Sequence, residues 1–542
     1  MIKTSMRAGC GSSRQILLTD KILISMNTNN LSKYIIGLGT VACTSTIWPL
    51  LCSAQDQNTS GNNSKKPNVL FIAIDDLRPV ISVYGDNMAR TPNFKRLAKY
   101  GVTFTNNYCQ FALSGPTRAS LLTGVRPDNT GVWSLQGNFR TNNPSLVTLP
   151  ELFKKNGYET VGMGKIYHPL DDRNYRDDPQ SWSIPYIKTP APTYVISNGR
   201  KATECADVPD NAYEDGIIAE KGVEMIKSFA ETGKSFFLAI GFKKPHAPYV
   251  APKKYWDMYD RDKMPLAEYQ DVTSDPVVYA YHPSNELKVY SDIPPFHSYE
   301  DTKHLDVATQ RRVIHAYYAC VSYVDAQLGK LLDALEEKGM AENTIIVLWS
   351  DHGYHLGDHG LWNKNSNFET ATRTVMLISA PGMKRGAYTS NVTEFVDIFP
   401  TLCELTGVKA PTYLDGHSLV PVLQEPSKKV AGYAFGQYNR GQVNGYSIRS
   451  SRYRMVEWVK DFRTYLPFDG KEIMGVELYD YENDPLETRN EAGNPLYKKV
   501  LEKLQKELHL FYKMQYKKSR IFNTYKLFPV EENSLEGYDN FS

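Results

Sequence analysis

Residues 68–75, NVLFIAID, constrain the fold more than any other stretch. An unbroken apolar run from Val69 to Ile74, with no polar alternation, predicts a strand buried on both faces. Runs of the same kind recur at 235–242 (SFFLAIGF), 344–351 (TIIVLWSD) and 375–382 (VMLISAPG). Helical patterns separate them. TPNFKRLAKYG (91–101) reads as a helix with Thr91 as N-cap, Pro92 in the first position and Gly101 past the end. A longer helix runs through QRRVIHAYYACVSYVDAQLGKLLDALEEKG. This alternation predicts an α/β fold: a large, mostly parallel or mixed sheet flanked by helices. After about residue 425, short aromatic pieces (YAFGQYN, YSIRSSRYRMVEWV, VELYDY) predict a smaller C-terminal antiparallel sheet. A helix near NPLYKKVLEKLQKELHLFYKMQ closes it.

At 542 residues the chain exceeds one small core. Lys33 precedes the apolar run YIIGLGTVACTSTIWPLLCSA, which ends in small residues before Gln55. Residues 1–54 therefore read as an export signal, with Met26 as an alternative start and a lipid anchor at Cys52 as an alternative fate. A polar linker follows at 55–66, then a catalytic domain over 67–424 and a C-terminal subdomain over 425–542. Cys109, Cys205, Cys320 and Cys403 remain after cleavage, too widely spaced for a zinc pattern or a dense disulfide framework. The formal charge of +2 gives no case for a nucleic-acid partner. Nothing in the chain speaks to its oligomeric state.

In open α/β sheets, ligands sit beyond the carboxyl ends of the strands. Asp75-Asp76 and Asp351-His352 fall there. Adjacent carboxylates repel unless a cation lies between them, and a hard divalent ion suits oxygen ligands. A solvated turn with an N-cap is an equally good reading of Asp75-Asp76 taken alone. A basic group is spread over other motifs: Arg118, Lys165 and His168 (GMGKIYHP), Lys244 and His246 (FKKPHAP), and Lys364 (GLWNKNSNF). Lysine and arginine suit the oxygens of a tetrahedral anion, and histidine suits proton transfer near neutral pH. Ser114, in CQFALSGPTRASLLTG, lacks the G-x-S-x-G elbow of a serine hydrolase. It is predicted just before a helix that Pro116 starts and Gly124 ends as a left-handed C-cap, where backbone N–H groups favour an anion.

The ordered series D-D, S-x-P-x-R with LLTG, G-K-x-x-H, K-P-H, S-D-H-G and a downstream lysine resembles the type I sulfatases of the alkaline phosphatase superfamily. Within them GKIYHP, KPHAPY, SDHGYHLGDHGLWNKNSNFE, VDIFPTLCELTG, LDGHSLVPVL and LYDYENDPLETRN look like the iduronate 2-sulfatase branch, across about residues 66–515. The resemblance implies an alkaline phosphatase-like fold and a sulfuric ester hydrolase. It implies that Ser114 is oxidised to formylglycine, whose hydrate is the nucleophile. Most members carry cysteine there, so a serine implies a radical-type sulfatase-maturating enzyme and a bacterial periplasmic location. Asp75, Asp76, Asp351 and His352 would hold one divalent cation with the modified Ser114 as a further ligand, calcium first and magnesium as the alternative. Many relatives carry asparagine in place of His352, whereas the iduronate branch carries histidine.

In the same terms, Arg118 would orient the formylglycine, Lys165 and Lys364 would bind sulfate oxygens, His246 would protonate the leaving sugar oxygen and His168 would take the proton that drives sulfate elimination. The branch implies a 2-O-sulfated uronic acid at the non-reducing end of a glycosaminoglycan fragment such as heparin or chondroitin sulfate. The unsaturated uronate left by a lyase is included. Its carboxylate needs a cation, for which Lys243, Lys244, Arg173 and Arg176 are the candidates. The rival readings are a phosphodiesterase or phosphonate hydrolase of the same superfamily and a glycan-binding pseudo-sulfatase with unmodified Ser114.

Overall fold

The computed structural model describes residues 66–168, 177–296, 305–460 and 472–522. The export signal, Met26, Cys52, Arg173 and Arg176 lie outside the described residues.

Seven strands form the main sheet: β1 (Asn68–Ile74), β2 (Val102–Phe104), β3 (Glu159–Gly164), β4 (Phe236–Phe242), β5 (Thr344–Ser350), β6 (Met376–Ser379) and β7 (Ala387–Thr389). Their spatial order is β7-β2-β6-β5-β1-β4-β3. The central run β5-β1-β4-β3 is parallel throughout, and β6 is antiparallel to both its neighbours. The VMLISAPG segment thus joins the sheet in the opposite sense to the other predicted strands.

β1 is buried along its whole length because both faces are covered. Leu70, Ile72 and Ile74 pack on one side with α1 (Pro92–Tyr100), α3 (Glu214–Thr232) and the long α5 (Val307–Glu337). Val69, Phe71 and Ala73 pack on the other with α2 (Ser114–Thr123) and α6 (Ile398–Thr406). Each such fully buried side chain contributes about 1.5–3 kcal/mol.

Two local expectations are corrected. The Thr91 hydroxyl does not cap α1; it bonds Ser82, and Asp325 of α5 accepts from the N–H groups of Asn93 and Phe94 instead (2.9 and 2.8 Å). A long-range carboxylate therefore does the capping and ties two helices together. Ser114 lies within the first turn of α2 rather than before it, with extended Leu113 as the N-cap residue. Gly124 closes α2 in the left-handed conformation, φ 69°, as the sequence predicts.

The C-terminal antiparallel sheet is β8 (Ala434–Arg440), β9 (Val443–Arg449), β10 (Tyr453–Lys460) and β11 (Ile473–Asp480). One face packs on α7 (Lys498–Phe522) through Ile448, Met455, Leu504 and Leu508. The other packs Val456, Trp458 and Tyr479 against Leu361 and Phe368, which flank Lys364. The small sheet therefore backs a loop of the large one, and the described residues belong to one compact unit. Cys109, Cys205, Cys320 and Cys403 are free thiols. Among the described residues no helix is long and apolar enough to cross a membrane.

Candidate active site

The four adjacent parallel strands deliver their carboxyl ends to one place. β5 ends in Asp351-His352, β1 in Asp75-Asp76, β4 in the turn carrying His246, and β3 in Lys165. Backbone bonds continue the ladder past the strand ends: Asp75 N–H donates to Phe242 O (3.1 Å) and Lys165 N–H to Gly241 O (2.8 Å). β3 and β4 approach so closely here that a Cβ on Gly164, at φ +72°, would overlap the Gly241 carbonyl. Asp76 takes a left-handed φ of 60°, held by Tyr317 Oη donating to its carbonyl (2.6 Å) and by its own N–H on Asp351 Oδ1 (3.1 Å).

α2 lays Ser114 and Arg118 against this edge. Ser114 Oγ is 3.3 Å from both Asp75 Oδ1 and His352 Nε2. Arg118, fully buried, donates Nε to Asp351 Oδ2 (3.0 Å), Nη2 to Asp75 Oδ1 (3.1 Å) and Nη1 to the carbonyls of Lys165 and Ile166. One guanidinium thus fixes three strand ends at once. The Lys165 ammonium contacts Asp75 Oδ2. Lys364 Nζ lies 3.1 Å from Asp76 Oδ2 and 2.8 Å from Glu286.

The electrostatics follow from burying these charges together. Burial raises Asp75, but Lys165, His246 and Arg118 outweigh it and hold its carboxyl well below the usual range. Burial together with Asp75, Glu286 and Asp351 outweighs Lys364 at Asp76, whose carboxyl is pushed well up. Burial, then Lys364 and Lys165, push His246 down to about 4. Burial likewise lowers His352.

A divalent cation fits this set. Ligand atoms of Asp76, Asp351 and His352 lie within 4.8 Å of one another, as do those of Asp75, Asp76 and His246. Asp76 Oδ1 is buried with no hydrogen-bond partner, the acceptor such an ion would satisfy. His352 Nδ1 donates to Gly353 O (2.9 Å), which turns the Nε2 lone pair toward the carboxylates and Ser114.

The other sequence candidates are placed as follows. His168 lines a small cavity with Gly115 and Arg118, and burial and then Lys165 lower its pKa well below the ordinary value. The Lys244 ammonium donates to the carbonyls of His246 and Pro248 (2.7 and 2.6 Å), so it braces the turn that carries His246. Lys243 pairs with Glu214 at 2.6 Å on the half-exposed rim. Sequence reasoning missed two groups. Asp215, at the start of α3, accepts from the backbone N–H of Lys243 and Lys244, each at 2.8 Å, and so secures the same turn. Glu286 sits on α4 (Asn285–Lys288), with Oε1 3.2 Å from His246 Nε2.

The sulfatase family pattern matches residues 67–408, and the C-terminal pattern of N-sulphoglucosamine sulphohydrolase matches residues 357–514. The chain is 31% identical to iduronate 2-sulfatase of Mus musculus over 514 residues, covering 81% of this chain and 93% of the mouse protein. It is 33% identical to a sulfatase of Formosa agariphila over 477 residues, 84% of this chain and 89% of that one. The solved structure of a 2-O GAG sulfatase superposes with a TM-score of 0.64 at 25% identity, over 86% of this chain and 95% of the other. With the acidic strand ends, the helix-borne serine and the lysines in one site, a match of this length means that the chain belongs to the sulfatase family and is a sulfatase of the iduronate 2-sulfatase-like kind.

Proposed function

We propose that this sulfatase removes 2-O-sulfate from a uronic acid at the non-reducing end of glycosaminoglycan fragments, the unsaturated uronate included. The observation that carries the reading is the 31% identity with an iduronate 2-sulfatase along 81% of the chain. Two lysines and two histidines gathered around the aspartates support it, because a sulfate ester needs cations on its oxygens and a proton donor at its leaving oxygen.

When bound, a divalent cation (calcium, with magnesium the alternative) polarises the sulfate, and formylglycine at position 114 supplies a stronger nucleophile than serine. Asp75, Asp76, Asp351 and His352 would hold the cation. Arg118 keeps residue 114 aligned through its grip on Asp75 and Asp351. Lys165 and Lys364 take the sulfate oxygens and stabilise the charge that builds there. His246, once protonated, gives the leaving sugar oxygen the proton on Nε2, since Nδ1 is fixed on Ala247 O at 2.6 Å. His168 takes up the proton whose removal drives sulfate elimination. Oxidation of Ser114 falls to a radical-type maturating enzyme, and the mature protein acts in the periplasm.

The test is inorganic sulfate release from disaccharides carrying a single sulfate at the uronate 2-O, glucosamine 6-O or glucosamine N position. Release from the 2-O-sulfated compound at least about 100-fold faster than from the others is the expected result, matching the discrimination that one misplaced reacting group produces. Preference for 6-O or N-sulfate would overturn the substrate, and faster cleavage of a phosphonate monoester would overturn the reaction.

A further inference from the structure

We infer that Glu286 is a positioning residue for the proton donor His246, a role that rests on the sulfate-ester hydrolysis proposed above. Its carboxylate bridges two groups from different loops: Oε1 is 3.2 Å from His246 Nε2, and Lys364 Nζ is 2.8 Å from both carboxylate oxygens. Ala247 O takes the other imidazole nitrogen at 2.6 Å. Both neighbours are acceptors, a carbonyl bonded to Nδ1 and a carboxylate at ion-pair distance from Nε2, so the protonated ring is held by both and the plane in which Nε2 meets a leaving oxygen is set. Without Glu286 the Nδ1 bond remains with only the more distant Asp76 carboxylate, 3.9 Å from Nε2, to orient the ring.

The segment that delivers this carboxylate is built rather than incidental. Ser284 adopts a left-handed φ of 53° while fully buried, and its Oγ accepts from Trp362 N–H at 3.0 Å. A non-glycine residue in that conformation is strained and persists only where its surroundings enforce it. Leu287, 1% exposed, anchors the next position in the core. The Ser284 bond ties the one-turn helix to the segment that presents Lys364. The Glu286 side chain is 17% exposed, buried enough for its contacts to be strong.

A carboxylate that merely neutralised buried Lys364 would leave the same arrangement, but its loss would have a different signature. Lys364 meets the sulfate group, which every sulfate ester carries. His246 matters in proportion to how badly the leaving oxygen needs a proton. Glu286→Gln removes the charge and keeps the shape. It is expected to lower kcat/KM for a simple alkyl sulfate by 10–100-fold, and for 4-nitrophenyl sulfate, whose leaving group departs without a proton, by less than about 5-fold. In a His246→Ala background the same substitution is expected to add less than about 3-fold on the alkyl ester, the non-additivity of groups that act together. Glu286→Asp restores part of the alkyl sulfate activity. Formylglycine content by mass spectrometry and melting temperature, equal among the chains, remove maturation and folding from the comparison. Equal losses on both esters, or full additivity with His246→Ala, would overturn the role while leaving the sulfatase reading intact. A matured wild-type protein that cleaved neither ester would overturn both.

Discussion

Acid should unfasten the loop that carries Lys364, by an amount the structure allows to be worked out. His355 Nε2 bonds Ser366 Oγ at 2.9 Å, and His359 stacks on Phe368 with ring centres 4.2 Å apart. Both imidazoles are buried, and burial holds them neutral, His355 down to about 3 and His359 to about 4. In the unfolded chain each titrates near 6.5. Between these values the unfolded state binds more protons than the folded one, so stability is complete above about pH 6.5 and falls as pH falls. At pH 5 each group lies about 1.5 units below its unfolded value, a loss of about 2 kcal/mol apiece and about 4 kcal/mol for the pair. That is a large share of a typical 5–15 kcal/mol stability. Urea unfolding at pH 7 and pH 5, in the wild type and in His359→Gln, isolates one imidazole, because every other titrating group is common to both chains. The variant should lose about 2 kcal/mol less than the wild type across that interval, even if it starts less stable. An identical pH dependence in the two chains would refute the assignment of acid lability to these buried histidines.

Two further perturbations test the site directly. Ser114→Ala should abolish sulfate release by at least about 10³-fold while calcium still raises the melting temperature, because the aspartates and His352 remain; the peptide spanning Ser114 from the active wild type should be two hydrogens lighter than serine requires. Gly164→Ala, which forces a Cβ into the Gly241 carbonyl at a left-handed φ, should cost about 2–5 kcal/mol in thermal unfolding and disturb Lys165 and His168.

How much of this was legible in the sequence depends on how local the signal is. β1, β4 and β5 announce themselves as unbroken apolar runs, and with them the acidic strand ends. β3, ETVGMG, hides because two of its six residues are glycines. Gly164 permits the close approach to β4 that sets Lys165 beside Asp75, and Gly162 leaves room for the Trp182 and Tyr186 rings. The single antiparallel strand β6 has the same composition as a parallel one, since both are buried on both faces, so direction leaves no trace in residue type. Asp325 capping α1 and Asp215 holding the His246 turn are contacts between residues far apart in sequence, with no spacing rule behind them. Glu286 is harder still. It sits in a Pro/Tyr-rich stretch with no periodicity, and only the folded chain brings it to His246. The motif residues Asp75, Asp76, Ser114, Arg118, Lys165, His246, Asp351, His352 and Lys364 were reached through their ordered resemblance to a family rather than through any one of them alone.

The charges in this site favour a substrate with one negative charge. Asp75, Asp76, Asp351 and Glu286 face Arg118, Lys165 and Lys364, and burial disfavours the charged form of His246 and His352 in the resting site. Four acids against three bases leave one negative charge in excess, which appears as the strongly raised Asp76. A divalent cation reverses the excess to one positive charge, and a sulfate monoester then brings the site to neutrality. A phosphate monoester carries two charges above its second pKa near 6 and would leave one buried and unmatched. An aryl phosphate should therefore inhibit aryl sulfate cleavage better as the pH drops. About 3% of it is singly charged at pH 7.5 and about half at pH 6, so its inhibition constant should improve about 15-fold over that interval. A phosphonate monoester, singly charged throughout, should change little. If both inhibitors shifted in parallel, the effect would belong to the protein's own groups, and charge matching would not be what separates sulfate from phosphate here.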